Sequence, residues 1–344
     1  MSIHEIATDS VYSADSCTYG QLLREVRFAD LFKPQTKYYT IKIAVNVTAM
    51  LVGWSLFVII GDSWLQLVTA TYLAFVFGQS AIVAHDTGHQ QISRSRRINT
   101  ALGYIHMNIA IGLSFGWWVE RHRRHHTYPN DTNRDPDAVN GLIVFTAAQL
   151  SARGTWRQRI CQYQAFLLFP VMFLAQGFAM HLNHVRQLLR SGHRGRIIEL
   201  CLLAAHAALY STAVVLVLSP ERALVFVIVN QGIFGTYLGS IIAPNHKGME
   251  SLEYSRGSSF LIRQLHTSRN IRGGLLVEAI FGGLNYQIEH HLFPSMPIPC
   301  LRRARPIVQA FCRRHQLRYV ETGLFESYRQ ALTYLDKVGR GVEN

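Results

Sequence analysis

Residues 43–89 read IAVNVTAMLVGWSLFVII, then GDSW, then LQLVTATYLAFVFGQSAIVA, then HDTGH. The two apolar runs, 43–60 and 65–84, contain no Asp, Glu, Lys or Arg. Each is close to the ~20 residues needed to cross the hydrocarbon layer of a bilayer as a helix. The four-residue link between them is long enough only to turn the chain back, so the runs pair as a hairpin. The design recurs at 200–218 and 223–243, joined through SPER. The reading is an all-α integral membrane protein with four transmembrane helices in two hairpins.

Composition and charge agree. The chain has 344 residues, 49% hydrophobic and only 16% charged, against an average near ~25% for soluble chains. Its net charge of +13, from 34 basic and 21 acidic residues, could point to nucleic acid. Every basic residue except Arg222 lies in 1–42, 85–199 or 244–344, which is the pattern of membrane-orienting charge. The positive-inside rule therefore makes those three stretches, and both termini, cytoplasmic. No nucleic-acid partner is expected. The five cysteines are scattered without a C-x-x-C and read as reduced thiols. The polar first 20 residues have no signal-peptide pattern.

Two further uncharged segments, 100–118 and 165–182, have arginines close on both flanks. A single crossing would strand one cluster of arginines outside. They are expected to be interfacial or buried helices on the cytoplasmic side, with a six-span protein as the alternative. The chain shows no internal repeat and no low-complexity linker. It reads as one domain over 1–344, with an N-terminal tail (1–42) and a cytoplasmic helical cap built from 85–199 and 244–344.

The histidines carry the chemistry. Of 16 in all, three groups follow apolar segments: HDTGH (His85, His89), HRRHH (His122, His125, His126) and QIEHH (Gln287, His290, His291). Residues three or four apart share a helix face, so each group can aim its imidazoles together. Seven clustered imidazoles exceed what one tetrahedral zinc takes. Imidazole also suits iron, and an oxygen-activating pair of irons accounts for the count. Any one such group is as often merely solvated histidine; three in order on one membrane side are not.

In that order and with that span layout, these motifs resemble the three histidine boxes of the membrane-bound fatty acid desaturases, over roughly residues 30–335. The third box, GGLNYQIEHHLFPSMP (282–297), looks most like that of the front-end acyl desaturases, where glutamine replaces its first histidine. The resemblance implies a cytoplasmic di-iron site reached by an acyl tunnel, with His85, His89, His122, His125, His126, His290 and His291 as ligands. It implies one more in a short N-H segment, here PNHKG, which makes His246 a ligand with Asn245 beside it. His246 also follows the fourth span directly, as His85 follows the second. Gln287 is expected as a ligand, a water-mediated contact or a hydrogen-bonding support. Asp86 and Glu289 sit where carboxylates commonly orient ligand imidazoles, the alternative being surface acids that balance arginine.

The implied reaction removes two hydrogens from adjacent methylenes of a long acyl-CoA or acyl-lipid, giving a cis double bond while O2 is reduced. Phe115, Trp117, Trp118, Phe281 and Tyr286 are candidate tunnel residues, although aromatics there more often only pack. Arg121, Arg123 and Arg124 could meet a phosphate or simply set topology. Many relatives carry a fused cytochrome b5 domain with an HPGG motif. None occurs in this sequence, so an external donor of ferredoxin or cytochrome b5 type, with its reductase, is expected. His181 and His184 have ligand spacing but match no box. His206 reads as a packed polar residue, and His266 could lie near the site. His4, His106, His193 and His315 are background. Hydroxylases, acetylenases and ketolases share the scaffold. A metal transporter or receptor is the non-enzymatic rival, but it would carry ionisable groups within its spans, whereas here they lie beyond the span ends.

Overall fold

The computed structural model describes residues 18–139, 141–190, 192, 195–251 and 259–342. Residues 18–28 are helical, and the numbered helices that follow are α1 Thr36–Ile60, α2 Gln66–Gly88, α3 Arg96–Gly103, α4 Phe115–Thr127, α5 Ala147–Ser151, α6 Thr155–Cys161 and α7 Gln164–Arg190. They continue as α8 Arg196–Val217, α9 Pro220–His246, α10 Phe260–Thr267, α11 Leu275–Phe281, α12 Gln287–Leu292, α13 Ile298–Arg314 and α14 Leu324–Gly339. Strand β1, Asn270–Arg272, pairs in parallel with β2, Glu321–Gly323. The chain sorts into two compact units. A span unit holds Pro34–Arg121 and Leu168–Ser240, and a cap unit holds the residues up to Lys33, His122–Leu167 and Ile241 onward.

Within the span unit, α1 and α2 form the first expected hairpin. Gln66 closes its turn by donating to the carbonyls of Phe57 (2.6 Å) and Gly61 (2.9 Å). A Cβ on Gly53 would lie 2.5 Å from Leu73, so only glycine permits that approach. Phe57, Leu73, Phe77, Phe226 and Phe234 fill the shared core with α9. The two short links meet: Asp62 of GDSW accepts from the Ser219 amide (2.9 Å) and pairs with Arg222 of SPER. Both hairpin turns therefore lie at one end of this unit.

Among the described residues, five helices are long and apolar enough to cross a membrane: α1, α2, α7, α8 and α9. Four correspond to the spans expected from sequence. The fifth, α7, contains the 165–182 segment, beginning just before it at Gln164 and running on past it to Arg190. It is interrupted by Pro170 and by π-helical turns over Met172–Ala179. Small residues let it pack closely on α9, since a Cβ on Gly235 would sit 2.2 Å from the Gly177 amide nitrogen, a close-backbone device of membrane helices. Met172 lies against Gly239, late in α9. Further on, Gln187 accepts from Trp117 Nε1 (2.7 Å), three residues past Ser114, which donates to Glu199 in the first turn of α8. Both halves of α7 thus meet the open end of the α8–α9 hairpin.

The 100–118 segment is not one helix. α3 runs into π-helical turns over Tyr104–Ile109, the chain breaks at Gly112 with φ +67°, and α4 begins at Phe115. Positive φ is nearly free for glycine alone, which makes Gly112 the natural breaking point. In the cap unit, α12 and α13 pack on a core that includes Leu22, Leu265, Ile288, Leu301 and Phe311.

Candidate metal centre

The third box forms the short helix α12, all six residues of which are buried. Its position is set from behind. Asn270 accepts from the Ile288 amide (2.9 Å) and donates to Glu289 (2.7 Å), while Tyr319 donates to the other Glu289 oxygen (2.8 Å). Burial pushes the Glu289 carboxyl up to about 7, although both hydrogen bonds pull the other way. Glu289 therefore braces the box through Asn270 and Tyr319.

Three buried histidines converge in the cap unit. His125 comes from α4, His246 ends α9 and His291 lies in α12, and one ring nitrogen of each lies within 4.8 Å of the others. Each has its Nδ1 engaged: His125 by Asp135 (3.0 Å), His246 by the Thr267 carbonyl (2.9 Å) and His291 by Gln264 Oε1 (2.9 Å). A neutral imidazole that donates from Nδ1 carries its lone pair on Nε2. The three rings could together hold a metal ion, with the outer hydrogen bonds that ligand histidines characteristically make. Burial pushes the His125 ring toward the neutral form, but Asp135, with Asp137 behind it, outweighs that and raises its pKa. The same negative charge would stabilise a cation held by these rings. Gln287 presents its amide nitrogen to His246 Nε2 at 2.9 Å and accepts from Asn245 at 3.3 Å. Asn245 also donates to the carbonyls of Ile241 and Leu284, joining the end of α9 to the approach to α12.

His122, His126 and His290 form a second group in the same unit, again with ring nitrogens within 4.8 Å of one another. His122 and His126 are four apart on α4, and their Nε2 atoms are 3.0 Å apart. Adjacent ligands keep that spacing when each is ~2.1 Å from one ion, the usual length of an imidazole–zinc bond. His125, one residue before His126, points to the other group. The spacing of HRRHH thus places rings in both groups from one helix. The donor sets fit a pair of nitrogen-bound transition metals.

In the span unit, α2 carries His85 and His89 on one face, their ring centroids 4.7 Å apart. Asp86 is fully buried, accepts from Lys42 Nζ (2.7 Å) and lies 3.2 Å from His85 Nδ1, the carboxylate–imidazole contact expected of it. Trp118 packs on His85 with centroids 5.5 Å apart, and a Cβ on Gly88 would touch the same indole.

Several residues outside the boxes escaped the sequence reading. Asp135 lies ten residues past His125. Gln264 holds His291 and also donates to the His126 carbonyl (3.0 Å). Asn130 donates to the carbonyls of His246 (3.0 Å) and Thr267 (3.3 Å). Arg269 is 1% exposed. It donates to the carbonyls of Pro244 (2.7 Å) and Lys247 and to Gln330, clamping the turn that holds His246. The run NDTNRDPD just past HRRHH was the available signal for Asn130 and Asp135.

The other named residues are placed as follows. His266 pairs with Glu250 (2.9 Å). His181 and His206 donate to the carbonyls of Gly112 (3.1 Å) and Ile109 (2.7 Å), and His184 lies beside His181. His106 meets Ser80, and His315 stacks on Phe311. Arg121 lies over the Trp117 ring, and Arg124 donates to the Arg134 carbonyl. Phe115 and Phe281 are buried, and Tyr286 donates to Glu278 (2.6 Å). His4 and His193 lie outside the described residues.

Comparison with known proteins gives one family match, to a family model described as fatty acid desaturase, over residues 62–323. Among similar proteins are an acyl-lipid (9-3)-desaturase of Physcomitrium patens, 28% identical over 90% of this chain and 60% of its own length, and a delta(8)-fatty-acid desaturase of Euglena gracilis, 25% identical over 88% and 74%. Fatty acid desaturase 3 of Bos taurus is 26% identical over 88% and 68%. The chain thus spans about 60% of the length of the moss relative.

Proposed function

We propose, from the premise that this chain belongs to the fatty acid desaturase family, that it is a membrane-bound di-iron acyl desaturase. The reaction would convert –CH2–CH2– of a long acyl-CoA or acyl-lipid to cis –CH=CH–, the two hydrogens removed combining with O2, two electrons and two protons to leave as two waters. The observation that carries this reading is the set of three buried imidazoles whose Nδ1 atoms are each held by an acceptor. The relatives' names supply the acyl chemistry.

The proposed ligands are His85, His89, His122, His125, His126, His246, His290 and His291. For the last six the support is the two groups of the cap unit; for His85 and His89 it is the i,i+4 pair, the Asp86 contact and the family pattern. Iron in such a site supplies the oxidation of an unactivated C–H bond, which no side chain can perform. The chain's own residues set tautomer and aim. Asp135, Thr267 and Gln264 fix three rings, Asp86 steadies His85, and Asn245 and Gln287 hold the His246 edge. Glu289 supports α12.

We further read the chain as crossing the membrane four times, with both termini and all histidine boxes cytoplasmic. The meeting of both short links, and the contacts of α7 with the open end of the α8–α9 hairpin, support that count. Electrons come from a separate ferredoxin- or cytochrome b5-type protein, and the arginine-rich α13 would suit an acidic donor. Iron analysis of purified protein, with gas chromatography–mass spectrometry of lipids from an expressing host, tests the proposal. Two irons per chain and a new cis double bond are expected; His122→Ala should lose the double bond and the iron of its own group. Full product from that variant would refute the di-iron reading.

A further inference from the structure

Between Asp137 and Glu199 the chain contains no Asp or Glu and seven arginines: Arg153, Arg157, Arg159, Arg186, Arg190, Arg194 and Arg196. Arg153 lies just before α6, and Arg157 and Arg159 lie within it. That short helix and the residues after it leave Trp156, Ile160, Tyr163 and Phe166 exposed by 62%, 49%, 59% and 83%. Their spacing of four, three and three follows one helical face. Soluble surfaces rarely gather so many large apolar groups.

The inner side of the segment is fixed to the cap unit. Gln164 donates to the carbonyls of Leu335 (2.8 Å) and Val144 (3.0 Å) and accepts from the Val144 amide (2.9 Å). Cys161 packs with Val144 and Val338, and Gly339 approaches so closely that a Cβ there would lie 2.2 Å from the Cys161 carbonyl oxygen. The exposed face is thus held outward. It is continuous with α7, which begins at Gln164 and is apolar enough to enter a bilayer. Arg157 lies over the Trp156 ring, 5.2 Å from its centroid, joining the aromatic and cationic parts into one surface.

We propose that residues 153–166 form a membrane-surface anchor for the cap unit, resting on an anionic leaflet. Trp156, Tyr163 and Phe166 enter the boundary between headgroups and acyl chains, where amphipathic rings concentrate. Arg153, Arg157 and Arg159 pair with headgroup phosphates and with the net negative charge of the lipid. The uninterrupted positive charge selects a lipid occupant over a second copy of this chain, whose matching face would repel it. The anchor stands whether or not the chain desaturates lipid.

The test is photo-crosslinking of the full chain in nanodiscs of phosphatidylcholine with phosphatidylglycerol. p-Benzoylphenylalanine replaces Trp156 in one variant and Tyr163 in another, both exposed positions, and Arg318 in a control. Lipid adducts well above the Arg318 control are expected, with phosphatidylglycerol over-represented relative to its mole fraction. In R153Q/R157Q/R159Q that enrichment should be lost while adducts with phosphatidylcholine persist. Crosslinked dimers, or adducts no more frequent than at the control position, would overturn the anchor. Adducts that follow the bulk composition in the parent chain would overturn its preference for anionic lipid.

Discussion

Asp135 bears on the His125 group through its carboxylate, which faces His125 Nδ1 (3.0 Å) and also accepts from the amides of Asn130 (2.8 Å) and Asp137 (2.9 Å). Asp135→Asn keeps the size of the side chain but loses the charge that holds Nδ1 of His125. Losing such a partner typically lowers metal affinity ~10–100-fold. Metal titration of the purified variant should show one weakened and one nearly unchanged iron per chain. Equal loss of both would mean that the two groups do not act as separate sites. Arg269 works on the backbone. Burial pushes its guanidinium down to about 10, yet Glu326 nearby favours the charge. Arg269 shares the Pro244 carbonyl with the Ser327 hydroxyl (2.7 Å) and caps the Lys247 carbonyl just past the end of α9. Arg269→Gln should cost about 3 kcal/mol in chemical unfolding, and Arg269→Lys should recover only part, because an ammonium cannot match the planar fork. Equal stability of parent and Gln variant would show that the clamp is idle.

At the scale of the element, α4 governs the second box, and its start is set by a buried acid in α8. Glu199 accepts from Asn108 (3.1 Å), Ser114 (2.7 Å) and the Gly116 amide (3.1 Å), while Asn108 Oδ1 takes the Phe115 amide (3.2 Å). A carboxylate at a helix N-terminus also meets the positive end of its dipole. Glu199→Ala strands several buried donors and should lower stability by at least about 3 kcal/mol. Glu199→Gln keeps an acceptor oxygen and should lose less. Thermal unfolding in detergent measures both, and if the Ala variant melts with the parent, the cap has no energetic weight. A carboxylate within an apolar helix ordinarily marks a transport site. Here its partners are the ends of neighbouring elements, and that is visible only once the chain has folded.

At the scale of the whole molecule, the hairpins were legible because uncharged runs and short links are local properties of the chain. The box histidines were legible because i,i+3 and i,i+4 spacing survives in sequence. Asp135, Gln264, Asn130 and Arg269 were not, since each is a lone polar residue whose meaning comes from a partner that only the fold brings near. The extent of α7 was equally hidden: its apolar core was read at 165–182, while its packing depends on Gly177 meeting Gly235 on another helix. The division into a span unit and a cap unit leads to a prediction no single residue tests. If metal holds the two imidazole groups together, chelation removes its binding energy from the folded state alone, and the loss should appear as local opening where the ligands sit. Hydrogen exchange of the full chain in nanodiscs, with and without a chelator, should show faster exchange over 122–135, 244–250, 264–270 and 285–292. The last turn of α2 should quicken as well if His85 and His89 share the metals. The links at 61–64 and 219–222 and the bodies of α1, α8 and α9 should keep their rates. Uniform acceleration would make the metal a general stabiliser of the chain, and no acceleration would remove it from the cap altogether. Faster exchange in the cap with an unchanged α2 terminus would restrict the ligand set to the six histidines of the cap unit.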